Sequence, residues 1–266
     1  MLGKLLKYEF KATGRTFLPL YLAIIVVAFI NGLFFKPSGN LNNMQSIGIL
    51  VLVGLFVAVG VLTIVVAVQR FNKNLLGDEG YLMFTLPVSS KSLILSKTIV
   101  STFWCVLSGI VAFMSCVILA LVLFLKTSPS GVFKQVDWEL IWEQFKIIIV
   151  ENNFLLHSFE ILLLMIVSYM LFVLTIYLSL SVGQLPKFNN HRKLVGIVTF
   201  FVVNIIINYI IVIFFGNISF EVIFGNSSLN SIFSSGMWMG ILVTIIINIA
   251  LFFGISYILD KRLNLE

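Results

Sequence analysis

The chain has 266 residues, of which 60% are hydrophobic and only 11% charged. A soluble domain carries roughly 25% charged residues, so too few are present here to cover a water-facing surface. The formal net charge of +6 then reads as the positive-inside bias of membrane-flanking loops, not as a nucleic-acid footprint.

The opening residues are amphipathic. Leu2, Leu5, Leu6 and Phe10 share one arc of a helical wheel, with Lys4, Lys7 and Lys11 opposite and Glu9 within the apolar arc. This predicts an interfacial helix over 1–13, its lysines toward anionic lipid. The first span follows over 16–35, with Pro19 in its first turn, where proline is tolerated. The basic head looks like that of a signal sequence. The apolar run is long enough to cross, however, and no small-x-small cleavage site follows, so a retained signal-anchor is expected.

A turn-rich outer loop over 36–43 leads to a second span over 46–69, whose exit is marked by Arg70 and Lys73. Gly54 and Gly60 in this span read as close-packing positions. The third apolar run, 94–125, is too long for a perpendicular crossing. Ser89 or Ser90 suits its N-cap, and Lys91 and Lys97 in its first turns predict a cytoplasmic start with entry into lipid near Ser101. Cys105 and Cys116 share a face of this run roughly 16 Å apart along the axis, too far to bridge.

An outer segment over 126–157 carries Trp138, Ile141, Trp142, Phe145 and Ile148 at helical spacing, with Glu139, Glu143 and Lys146 on the other side. Trp138, Trp142 and Phe145 suit docking at the outer membrane interface. A fourth span over 160–182, a fifth over 194–215, an outer stretch over 216–235 and a sixth span over 237–259 complete the pattern. The fold class expected is all-α: a single transmembrane domain over 1–266 with six crossings. In this layout 13 of the 17 Lys and Arg residues fall on one side. That bias places both termini and the segments 70–91 and 183–193 in the cytoplasm.

Catalytic signatures are missing from the sequence. There is no GxxxxGK[ST] phosphate loop, no HExxH zinc motif and no GxSxG elbow, so the chain is not expected to be an enzyme or to hydrolyse ATP itself. His157 and His191 are predicted at opposite membrane faces and cannot share a metal. Glu160 is the one acidic residue near a span. Asn204 and Asn208 share a face of the fifth span, and Asn248 lies in the sixth. Such groups either hydrogen-bond between helices or form a polar strip along a transport path.

The segment 70–91 is expected in the cytoplasm, yet it is rich in apolar residues: Leu75, Leu76, Tyr81, Leu82, Met83, Phe84 and Leu86. Exposed apolar clusters need a partner. Asp78 suits the cap of a short helix and Glu79 its positive end, while Pro87 disfavours helix at Leu86. The result is an aromatic knob. It either folds back on its own helix ends and the lipid surface, or docks in a groove of another protein.

The run Gly77-Asp78-Glu79-Gly80-Tyr81-Leu82-Met83-Phe84-Thr85-Leu86-Pro87, followed by Ser96-Lys97, resembles the first cytoplasmic loop of ABC-2-type transporter permeases of Gram-positive bacteria. The opening Leu5-Leu6-Lys7-Tyr8-Glu9-Phe10-Lys11, the pair of dipeptides Leu18-Pro19 and Leu20-Tyr21, and the tail Lys261-Arg262-Leu263-Asn264-Leu265 fit the same family. The resemblance implies ABC-2 permease architecture in the bacterial cytoplasmic membrane. It implies a subunit that pairs with a second copy or a paralogue and docks ATPase subunits, which carry the ATP and magnesium; no cofactor belongs to this chain. Asp78, Glu79, Tyr81, Leu82, Phe84 and Leu86 would form the coupling helix, and Lys187 and Arg192, in the loop 186–193, a second contact. The outer helix around Trp138 departs from many relatives, and 220–224 with Ile232-Phe233 would match the family's re-entrant pieces. The function implied is export of an amphiphilic cargo such as a peptide, antibiotic or lipid-like molecule. The alternatives are a non-transporting membrane sensor or immunity protein, and a stand-alone secondary carrier.

Overall fold

The computed structural model describes residues 2–34, 43–76, 89–127, 138–146, 154–186, 191–224 and 229–261. They form seven α-helices: α1 (Leu2–Phe34), α2 (Asn43–Phe71), α3 (Ser90–Thr127), α4 (Trp138–Lys146), α5 (Phe154–Gly183), α6 (Arg192–Phe224) and α7 (Leu229–Lys261). A π-helical turn, Asn72–Leu76, closes α2. Six of the seven helices are long and apolar enough to cross a membrane; α4 is the short exception.

The outward surfaces support the same reading. Leu50, Phe113 and Ile205 are 72%, 69% and 68% exposed, among dozens of exposed large apolar side chains. No water-soluble monomer leaves so much apolar surface uncovered. With backbone groups satisfied inside each helix, this surface suits hydrocarbon. The chain is a multi-pass membrane protein by this criterion.

The chain divides into two compact units. The smaller comprises Gly3–Val66 and Phe103–Phe145. Its packing begins on one stripe of α1: Glu9, Thr13, Gly14, Phe17, Tyr21, Ile24, Ala28 and Gly32 are buried at the three- and four-residue steps of a helix face. That stripe runs without a break through 13–16. No helix break separates 1–13 from the first span, and one helix of 33 residues continues through Pro19. At 1.5 Å per residue it is about 50 Å long, more than a bilayer core requires.

Trp104 of α3 anchors this stripe. Its ring stacks on Phe17 with centroids 4.8 Å apart and planes 8° from parallel. Its indole N–H donates to Thr13 Oγ1 at 2.7 Å, and Thr13 donates to the Glu9 carbonyl at 2.7 Å. Tyr21 Oη lies 2.7 Å from Ser108 Oγ. Farther along, Gly32 passes so close to α3 that a Cβ would fall 2.7 Å from Val122 Cβ. Asn31 Nδ2 donates to the Gly48 carbonyl of α2 at 2.7 Å. Gly54 and Gly60, expected at close contacts, instead have no described atom within 4 Å of an added Cβ; the intimate glycines are Gly32 and Gly48.

The larger unit comprises Met1–Leu2, Ala67–Thr102 and Lys146–Glu266. α5 is its centre and packs on both α6 and α7. From Val173 to Gly183 α5 is buried on most sides, including Thr175, Ser179 and Ser181. These hydroxyls donate to carbonyls three or four residues back, at 2.7 to 2.8 Å, so the helix carries polar side chains without orphaning them. α6 extends to Phe224 and α7 starts at Leu229, so most of the stretch expected as an outer loop over 216–235 is helical. The apolar pieces 220–224 and 232–233 lie in the last turns of α6 and the first of α7.

Candidate functional site

The knob residues Asp78, Glu79, Tyr81, Leu82, Phe84 and Leu86 lie outside the described residues, as does Lys187. Both flanks of the knob are described, and both are built into the larger unit. On the entering side, the π turn re-aims the chain by its extra residue per turn. Phe71 and Leu75 are 0% exposed and Leu76 7%. The Phe71 ring lies face to face with Tyr177 of α5, centroids 4.0 Å apart and planes at 10°.

On the leaving side, the Ser89 carbonyl accepts the N–H groups of Ser92 at 2.9 Å and Leu93 at 3.3 Å. Ser89 thereby starts α3 as its N-cap residue, with its hydroxyl 3.0 Å from that of Ser92. Leu93, Ile94, Ser96, Lys97 and Thr98 are all buried, so the first turns of α3 belong to the core. Lys91 Nζ sits 5.5 Å above the Phe253 ring of α7, a cation–π contact. The two described flanks thus contact the larger unit at different helices, 71–76 at α5 and the start of α3 at α7.

Beside the entering anchor lies a cavity of about 650 Å³. Val68, Ile176, Leu180, Ile197, Phe200 and Phe201 give it apolar walls, while Gln184, Arg192 and Lys193 line one end. Two glycines draw α5 and α6 together there. A Cβ on Gly183 would meet the Arg192 carbonyl oxygen at 2.7 Å, and one on Gly196 the Ser179 carbonyl oxygen at 3.4 Å. Arg192 opens α6 and is partly buried.

The three asparagines separate by role. Asn204 and Asn208 donate to carbonyls of their own helix, Phe200 at 2.8 Å and Asn204 at 2.9 Å. Asn248 is 8% exposed and donates across to the Val167 carbonyl of α5 at 3.0 Å. Its Oδ1 is buried without a hydrogen-bond partner among the described residues. Asn248 therefore ties α7 to α5, whereas Asn204 and Asn208 line α6 without bonding a neighbouring helix through these groups. Of the outer-interface residues, Trp142 is 58% exposed on the nine-residue α4. The side chains of Trp138 and Phe145 lie outside the described residues.

Glu160 has a larger structural part than its position near a span suggests. Its side chain is fully buried. Ser234 Oγ donates to Oε1 at 2.6 Å, and His157 Nδ1 lies 3.1 Å from Oε2, with Trp238 adding a further side-chain hydrogen bond. The carboxylate joins α5 to α7. The sequence signal was His157 three residues before Glu160, one helix turn; the Ser234 and Trp238 partners had none.

No group of three or more His, Cys, Asp or Glu among the described residues could hold a metal ion. Cys105 and Cys116 are both free thiols. Comparison with family models, with curated proteins and with solved structures returns no match.

Proposed function

We propose that the chain is the membrane subunit of an ATP-driven exporter of the ABC-2 permease type, with an amphiphilic cargo and energy from a separate ATPase. The observation that carries this reading is the packing of the residues on either side of the segment 77–88. The chain before this apolar, aromatic segment is packed through Phe71 on Tyr177, and the chain after it through the buried Leu93 and Ile94 of α3, beside Lys91 over Phe253. A partner that grips such a segment moves α2 and α3 together. It also transmits force to α5 through the buried Phe71–Tyr177 stack, while Lys91 over Phe253 is an exposed contact that links the start of α3 to α7. That is the mechanical requirement of a coupling helix, and the resemblance of 77–87 to the family's first cytoplasmic loop supplies the partner.

In this mechanism the ATPase dimer closes on ATP, displaces the knob, and the displacement reaches α5 through the Phe71–Tyr177 stack. A second copy or a paralogue completes the path. The test is co-purification from native membranes in mild detergent. An ATPase is expected with the wild-type chain and is expected to be lost from Tyr81→Asp plus Phe84→Asp, while the thermal melting of the variant stays unchanged. Recovery of no ATPase with either chain contradicts the proposal.

A further inference from the structure

The cavity between α2, α5 and α6 in the larger unit has a chemistry of its own. Its walls are apolar along most of their length, and its polar end gathers Gln184, Arg192 and Lys193. From Arg192 to Phe200 the cavity follows α6 for about 12 Å, close to the roughly 15 Å depth of one leaflet's hydrocarbon. Its volume of about 650 Å³ lies within the range of small-molecule sites. Basic residues at this end also fit the bias of cytoplasmic loops, but here two of them close an apolar trough that a soluble anion would not need. Both features together match one occupant, a molecule with an anionic head and a hydrocarbon tail aligned with the helices.

We infer that this cavity is a binding site for an anionic phospholipid of the surrounding bilayer, its phosphate at Arg192 and Lys193 and one acyl chain along Leu180, Ile197 and Phe201. Val68 of α2 and Asn72 of the π turn line the same cavity, one turn before Phe71 and Leu75 respectively. The bound lipid thus fills the space behind the end of α2 and braces it against α5 and α6. The site requires no partner protein, so it stands or falls separately from the docking of 77–88 on an ATPase.

The test uses the intact purified chain in detergent. Dioleoyl phosphatidylglycerol, dioleoyl phosphatidylcholine or inorganic phosphate is added, and lipid adducts are read by native mass spectrometry and stability by thermal melting. Phosphatidylglycerol is expected to give a saturable single adduct and a raised melting temperature, while phosphatidylcholine and phosphate do neither. Arg192→Gln with Lys193→Gln is expected to weaken retention roughly tenfold or more, from the loss of two cationic contacts. Ile197→Trp, which fills the trough from an exposed position and keeps both charges, is expected to abolish the adduct; Lys4→Gln with Lys7→Gln is expected to leave it intact. Equal retention of phosphatidylcholine overturns the inference, as does phosphate competing the lipid away, or wild-type retention by either cavity variant. The phosphate arm reads on the wild-type chain and so does not depend on a variant folding.

Discussion

At the residue scale, single side chains join helices in two ways, by aromatic stacking and by satisfied polar bridges. Trp104 does both, resting on Phe17 while its N–H reaches Thr13. Trp104→Phe keeps an aromatic surface but removes the N–H that donates to Thr13 Oγ1, and is expected to cost about 1 kcal/mol. Trp104→Ala removes the stack as well and is expected to cost about 3–5 kcal/mol. Thermal melting in detergent separates the two; equal losses would contradict the contribution of the stack. Glu160 illustrates the polar case, with Ser234 and His157 on its two oxygens. Glu160→Gln retains an acceptor for Ser234 and is expected to lower the melting temperature less than Glu160→Ala, which takes the shared partner from the half-buried Ser234 and His157 groups.

At the element scale, the decisive variable is how closely neighbouring backbones approach. Gly183→Ala would drive a methyl into the Arg192 carbonyl. It is expected to destabilise by about 1–3 kcal/mol through overpacking, and to loosen the α5–α6 junction as read by limited proteolysis after 183. Gly54→Ala meets open space; it is expected to leave stability unchanged or to raise it by up to about 1 kcal/mol through helix propensity. The number and order of the long helices were legible in the sequence, because runs of about 20 apolar residues have only one low-energy form in lipid. The glycine roles were not legible. A glycine packs closely only if its face meets another helix, and a strongly apolar helix such as α2 carries no amphipathic signal to say which face that is. The same ambiguity hid the continuity of α1. Its polar head suggested a separate interfacial helix, while the single buried stripe from Glu9 to Gly32 shows only when its partner Trp104 is in place.

At the scale of the whole molecule, the proposed topology follows from the distribution of basic residues along the sequence. The proposed orientation is tested by replacing Cys105 and Cys116 with alanine and adding one cysteine at a time. A membrane-impermeant maleimide applied to intact cells is expected to label Glu143→Cys, and to label Lys11→Cys and Lys193→Cys only after the membrane is opened. Labelling of Lys193→Cys in intact cells would invert the assignment. Of the candidate site, the sequence suggested 77–88 as a docking segment by its aromatic content, and the family resemblance pointed to Arg192. The contacts on either side were not legible, since Phe71, Leu75 and Lys91 acquire their roles from Tyr177 and Phe253, each more than a hundred residues away. The Asn residues show the same limit. Three similar polar residues in apolar spans serve two different ends, and only the packing partner of Asn248 distinguishes it.

The central claim, that 77–88 is gripped by an ATPase, is tested most directly by placing a photo-reactive amino acid at Tyr81 and cross-linking in native membranes. The account predicts a single dominant adduct with a protein carrying a GxxxxGK[ST] phosphate loop, lost when Phe84 is changed to Asp. Adducts only with lipid, or with the chain's own helix ends, would contradict it.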